Sequence, residues 1–571
     1  MITEDERRWP LGLYGLPTRS GKIKDLSKFD AQFFGVHGKQ ANLMDPQARL
    51  LLELTYEAMV DAGVNPQTMR GTRTGVYVGA SVSEVEEGLA MDISKVSGYA
   101  LTGCSRSMFA NRVSYTFDLQ GPSYSMDTAC SSSALAINQA LLGLRTGQCD
   151  AAIVGGVSIC LRPVSALQFH KLNMLAVDGK CKFLDESANG YVRAETCSVI
   201  FLQKKSEAKR IYATILHAKT NTDGYKDEGI TFPSSHSQSS LMYQTLKEAK
   251  VDPNEIKYIE AHGTGTGVGD PSETGAIAEV FCKGNRKEPL LIGGVKSCLG
   301  HSEPASGLNS VAKVLVAFEN KVIPANLHFN KPNPNIPALI NGQIKPIVEN
   351  TPFVDSIVPV NSFGFGGVNV HILLKPHLQE PTKDNQNIIE TIPRVIPICG
   401  RTEESVNNIF DFLEQNPKKL TRDLLALLYD MSQTTDSSGM NYRGFLLAKK
   451  SDEENALSFT REVTRVQEKR PLWFVFSGMG SQWTAMAKGM MSLDVFNKSI
   501  QKSAQTLKPL GVDLLHLLLS DDESALETTV APFVAIAAVQ IALVDFLKEM
   551  EIVPDGIVGH SVGELGCAYG D

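Results

Sequence analysis

Between residue 1 and about residue 375, short runs of uncharged, mostly apolar residues alternate with segments of helical periodicity. AAIVGGVSI (151–159), SVIFLQ (198–203), IYATILHA (211–218) and PLLIGGV (289–295) each suit one strand, and their apolar character requires cover on both faces. Residues 134–144, ALAINQALLGL, are apolar on nearly every side and stop near Gly147, as a helix enclosed by other elements does. Strands and helices in alternation predict α/β layers. At 571 residues the chain is too long for one core, so two to four domains are expected.

A polar stretch, KPHLQEPTKDNQN (375–387), reads as an exposed linker. Beyond it, RVIPICG (394–400) and YRGFLLA (442–448) read as strands of a structural spacer with no cluster of reactive residues. A third region opens with PLWFVFSGMGSQW (471–483) and contains GHSVGE (559–564). The formal net charge of −8 supplies no basic field for nucleic acid. No run of 18 uncharged apolar residues is present, so no membrane span is expected, and the acidic start MITEDERRWP is unlike a signal peptide. The ten cysteines are scattered without a C-x-x-C pair, which suits a reducing cytoplasm. No metal-ligand spacing and no phosphate-loop motif call for a bound metal or nucleotide.

Residues 125–135, SMDTACSSSAL, put Cys130 at the mouth of the apolar helix among small residues. The positive end of a helix favours a thiolate, so a lowered thiol pKa is expected, and small neighbours leave room for a bulky thioester. A buried structural cysteine is the alternative reading. IEAHGTGTGVGDP (259–271) puts His262 at the head of a glycine-rich loop, and GGVKSCLGHSEPASG (293–307) puts His301 in another, five residues after Lys296. Each follows a strand-like run, where α/β enzymes expose catalytic groups. The glycine run is not G-x-G-x-x-G, and Asp270-Pro271 stands where a dinucleotide helix should open. NSFGFGGVNVHILL (361–374) offers amides for an oxyanion, with Phe363 or Phe365 available to gate a pocket.

DTACSSS, EAHGTGT, KSCLGH and NSFGFGG occur together, in the order of the β-ketoacyl synthase family, which this chain resembles. Flanking text such as NTDGYKDEGITFPS (221–234) most resembles the animal-type cytosolic fatty acid synthases. The resemblance implies a thiolase-like, duplicated α-β-α-β-α ketosynthase over 1–375, a small α/β linker domain over 376–470 and an incomplete α/β-hydrolase-like acyltransferase segment over 471–571. It implies that Cys130 takes an acyl group from the phosphopantetheine arm of an acyl carrier protein. His262 and His301 then assist decarboxylation of a malonyl thioester, and the carbanion attacks the acyl carbonyl. Amides of Cys130 and Phe365 hold the oxyanion, and Lys296 acts on the histidines through its charge. No cofactor is expected to be bound directly, and a homodimer through the ketosynthase is implied.

Gly559, Ser561 and Gly563 fit the nucleophile elbow G-x-S-x-G, and FSGMGSQW (476–483) resembles the oxyanion loop of the malonyl/acetyl transferases, with the Gln482 amide as donor. The family's base histidine and carboxylate-binding arginine lie beyond Asp571, so this transferase is expected to be inactive. The family's first, glycine-containing strand is expected to be missing before ERRWPLGLYG. Three other readings stay open: a thiolase, which uses a second cysteine where this chain has His301; an iterative polyketide synthase; and a truncated chain that only dimerises.

Overall fold

Each of those uncharged runs forms a strand in the computed structural model, which describes all residues except 1, 92–93, 95–96, 285, 354, 378–392, 434–438, 451–456, 467 and 469. The described residues fall into two compact units, 1–464 and 465–571. In the first, β1 (Thr74–Gly79), β2 (Ser123–Met126), β3 (Ala151–Ser158) and β4 (Thr196–Gln203) form a sheet in the order β2-β1-β3-β4. Strands β2, β1 and β3 run parallel, and β4 closes the edge antiparallel.

A second sheet contains β5 (Ala213–Thr222), β6 (Tyr258–Glu260), β7 (Leu290–Gly293), β8 (Ile344–Pro346), β9 (Val358–Phe363) and β10 (Val368–Pro376), ordered β8-β7-β6-β9-β10-β5. Its run β7-β6-β9-β10 repeats the parallel, parallel, antiparallel pattern of the first sheet. The fold is therefore duplicated, which no short sequence period reveals.

Helices α1 (Pro46–Asp61) and α2 (Arg106–Phe117) cover the outer face of the first sheet, α3 (Ser132–Arg145) and α6 (Ser306–Asn320) lie between the sheets, and α4 (Ser235–Ala249) and α5 (Gly269–Phe281) cover the second. This is an α-β-α-β-α stack. Separate apolar cores fill its gaps: Leu52 and Phe109 outside the first sheet, Ile137 and Leu308 in the middle, and Met242 and Phe281 outside the second. Burial on both sides explains why α3 is apolar nearly all round.

The two halves differ at one edge. Strand β10 is flanked by β5 along its whole length and is mostly buried. The matching position beside β4 is unpaired among the described residues, and every residue of β4 is half-buried. An apolar cleft of about 490 Å³ follows that edge, with Val199, Phe201, Leu141 and Leu315 in its walls.

Strands β11 (Arg394–Gly400), β12 (Tyr442–Lys450) and β13 (Leu457–Arg465) form a small sheet, covered by Val406 and Phe410 of α7 (Glu403–Gln415). Most of the expected linker, residues 378–387, lies outside the described residues.

The second unit pairs β14 (Trp473–Phe476) in parallel with β15 (Gly556–Gly559), with α8 (Asp494–Leu507), α9 (Val530–Glu549) and α10 (Gly563–Gly570). Helix α9 is long and apolar enough to cross a membrane by length and composition only. Asp545 and Lys548 interrupt its apolar stretch. In the fold, Ala535, Ala538 and Ala542 of α9 pack against Phe496 and Ile500 of α8, as a core helix does.

Candidate active site

Cys130 lies between β2 and α3, and His301 lies in the matching place of the other half, between β7 and α6. The duplication brings them face to face, with His301 Nε2 3.1 Å from Cys130 Sγ. His262 follows β6 and stands edge to face with His301, ring centroids 5.5 Å apart. The three groups singled out in the sequence thus meet in one place.

The backbone around the thiol is tightly held. Ala129 adopts φ +55, in the left-handed region, and its amide donates to Asp127 Oδ1 at 3.0 Å. The Cys130 carbonyl accepts from the hydroxyls of Ser306 and Ser362, each at 3.0 Å. Gly364 has to lack a side chain, because a Cβ there would meet the Thr128 carbonyl at 2.5 Å. This close approach lets the amides of Phe365 and of Cys130 itself donate toward the sulfur.

The expectation of a lowered thiol pKa is overturned. Burial pushes Cys130 up to about 12, the Glu303 carboxylate adds to the rise, and Lys296 and the two amides oppose it. Cys130 precedes the first turn of α3 and is buried, so losing water outweighs the local field of the helix.

Both histidines are neutral and share one tautomer. Burial, followed by the charge of Lys296, holds the pKa of each well below 6.5. The Phe363 amide donates to His262 Nδ1 and the Glu303 amide to His301 Nδ1, each at 3.3 Å. An Nδ1 that accepts carries no proton, so each Nε2 is a donor.

Lys296 is almost wholly buried, its Nζ lacks a hydrogen-bond partner among the described residues, and burial lowers its pKa while Glu273 and Glu260 resist. Glu273 was missed in the sequence. Its carboxylate accepts the amides of His262 at 2.7 Å and Gly263 at 2.9 Å, and Asn361 Nδ2 at 2.9 Å. Asp270, which argued against a dinucleotide site, accepts the amides of Gly265 and Leu184, each at 3.0 Å. The acids at 270 and 273, one helical turn apart at the start of α5, were the available signal.

Two cavities meet at the sulfur. One of about 340 Å³ reaches Cys130 past Thr264, Thr266, His262 and His301. The other, about 300 Å³, lies beyond Phe365 and includes Gln47, Ser81, Glu84 and Arg193. Phe365 borders both and pairs edge to face with Phe169, which the sequence reading missed, at 5.9 Å. Phe363 is buried in β9, its ring 5.9 Å from His262.

In the second unit Ser561 adopts φ +57 on the turn between β15 and α10. Gly478 lies so close that its Cβ would meet the Ser561 side chain at 3.0 Å. The Gln482 side chain accepts from the Gly480 amide at 2.8 Å.

The sequence matches the β-ketoacyl synthase N-terminal domain over residues 3–208 and its C-terminal domain over 212–330. It matches the ketoacyl-synthetase C-terminal extension over 332–447 and an acyl transferase domain over 473–571. A highly reducing polyketide synthase of Gibberella zeae is 37% identical over 575 residues, 95% of this chain but 22% of that one. Among solved structures, the ketosynthase from module 6 of the bacillaene synthase of Bacillus subtilis aligns with a TM-score of 0.69 and 28% identity, over 92% of this chain and 91% of that one. The oxazolomycin ketosynthase domain of Streptomyces albus aligns with a TM-score of 0.69 and 28% identity, over 78% and 80%. The fatty acid synthase of the goose, Anser anser anser, is 56% identical over 320 residues, 56% of this chain and 91% of that sequence. That identity over a stretch with the thiol and both imidazoles in one cavity shows that the chain belongs to the fatty acid synthase family and carries its β-ketoacyl synthase.

Proposed function

We propose that Cys130, His262 and His301 carry out decarboxylative Claisen condensation, with Lys296 and Phe365 in support. The observation that carries this reading is the 3.1 Å approach of His301 Nε2 to Cys130 Sγ, with His262 against the same ring.

In the first step Cys130 Sγ bonds to the acyl carbon of a carrier-bound thioester, the carrier sulfur leaves, and the thiol proton passes to it. The amides of Cys130 and Phe365 stabilise the oxyanion of this exchange. A malonyl thioester then enters the 340 Å³ cavity and its carboxylate departs as carbon dioxide. The electron pair becomes an enolate whose oxygen is held by the Nε2–H of His262 and His301. Neutral donors suit this step, because neither imidazole has to give up a proton at cytoplasmic pH. The enolate carbon attacks the Cys130 thioester, a carbon–carbon bond forms, and the cysteine sulfur leaves and regains a proton. Lys296 has no base role in this scheme; burial keeps both imidazoles neutral, and the charge of Lys296 adds to that effect.

We further propose that a phosphopantetheine arm of an acyl carrier protein delivers both thioesters past Thr264 and Thr266 to the sulfur, a path that the cavity's lining supports. The protein is read as cytoplasmic and homodimeric through the ketosynthase, divided at 1–375, 376–470 and 471–571, with Ser561 and Gln482 the elbow and oxyanion donor of the acyltransferase region. A fatty acid product is favoured over a polyketide by the 56% identity to the goose sequence. Incubation with an acyl thioester and malonyl thioester is expected to release carbon dioxide and yield a β-ketoacyl thioester, identified by mass. Acylation of a residue other than Cys130 would refute the assignment.

A further inference from the structure

Two residues after His301 the backbone is strained. Glu303 adopts φ +46, a conformation that a side chain disfavours and that persists only where surrounding contacts enforce it. The enforcing contact is Arg193. Its Nε donates to Glu303 Oε1 at 2.7 Å and its Nη2 to Oε2 at 2.9 Å, a two-pronged pair with both side chains nearly buried. Tyr191 adds its hydroxyl to Oε1 at 3.4 Å. The segment that carries Arg193 is tied to the catalytic loop as well: the His301 amide donates to the Val192 carbonyl at 2.7 Å, and the Ala194 amide to the His301 carbonyl at 2.9 Å. The strained Glu303 amide is the donor that sits on His301 Nδ1.

We propose that Arg193 is a positioning residue for the condensation. Its fork holds Glu303 in the left-handed conformation, so that the Glu303 amide stays on His301 Nδ1 and Nε2 stays a donor toward the enolate. The inference rests on the condensing role given to His301. Without the fork, Glu303 relaxes, its amide leaves Nδ1, and the ring changes tautomer, losing its Nε2 proton to water as Nδ1 takes one up. Nε2 then presents a lone pair to the Cys130 thiol. Enolate stabilisation is lost, while removal of the thiol proton becomes easier. A residue that merely supported the fold would, when replaced, open other buried cysteines such as Cys149 and Cys181 to alkylation together with Cys130.

The test uses the full chain with Arg193→Lys, which keeps the charge but cannot fork, and Glu303→Asp, which keeps the charge but is one carbon too short to meet the fork. Two rates are measured at pH 7.5: carbon dioxide release from malonyl thioester, and alkylation of Cys130 by iodoacetamide followed by intact mass. Decarboxylation is expected to fall at least tenfold and alkylation to rise at least threefold. A fall of less than tenfold, a rise of less than threefold, or adducts on other buried cysteines such as Cys149 and Cys181 overturns the proposal. Should Arg193→Lys not fold, Glu303→Asp is judged by the same limits. If the unaltered protein releases no carbon dioxide, the condensing role itself fails. Alkylation, which needs no turnover, then decides: a rise of less than threefold overturns the positioning role.

Discussion

His262 and His301 stand edge to face at 88°, and each gives its Nδ1 to a backbone amide, Phe363 for one and Glu303 for the other. Both rings therefore offer Nε2–H as neutral donors, an arrangement that suits the proposed enolate, which it can hold without moving a proton.

Replacing either histidine by alanine removes one such donor. Carbon dioxide release should fall by about 10²–10³-fold, the usual effect of losing one oxyanion contact. Glutamine keeps an N–H near the same position and should retain part of the rate. Equal losses from His301→Ala and His301→Gln in a decarboxylation assay would remove the donor role.

Two buried cysteines separate chemistry from packing. Cys130→Ala should abolish the condensed product. Cys149, buried with its sulfur 3.8 Å from the Tyr77 hydroxyl, should tolerate alanine with condensation still measurable by mass. Equal loss from both would point to misfolding.

With its pKa pushed up to about 12, the resting Cys130 thiol is protonated at neutral pH. Its alkylation by iodoacetamide should therefore climb about tenfold per pH unit from 7 to 9 without levelling, as the thiolate fraction does. A plateau below pH 9 would mean that the helix field prevails over burial after all.

His371 is buried in β10, where loss of water lowers its pKa to about 3. Between pH 6.5 and about 3 the unfolded chain binds a proton here that the folded chain does not, so stability falls as pH falls. Each such proton is worth about 1.4 kcal/mol per pH unit. Across that window His371→Gln should lose stability less steeply than the unaltered protein by this amount, measured by urea unfolding at successive pH values.

Among the described residues strand β4 has one partner and is half-buried, whereas β10 lies between β9 and β5. Amides of β4 that point to its open edge should exchange with deuterium far faster than those of β10. Equal protection would show that the edge is covered in solution.

The sequence alone singled out the residues to which the proposed chemistry is assigned, and the elements that carry them. Uncharged runs became strands, the all-round apolar stretch became a helix enclosed between sheets, and Cys130, His262 and His301 fell at strand ends. Those features are local, set by side-chain periodicity and by loop chemistry within a few residues. Only the tertiary structure decided the ionisation of the thiol, because desolvation depends on everything packed around Cys130 and not on the helix that follows it. The same holds for the tautomers, set by amides of Phe363 and Glu303 that reach the rings through folding, and for Glu273 and Arg193, whose partners lie 11 and 110 residues away along the chain.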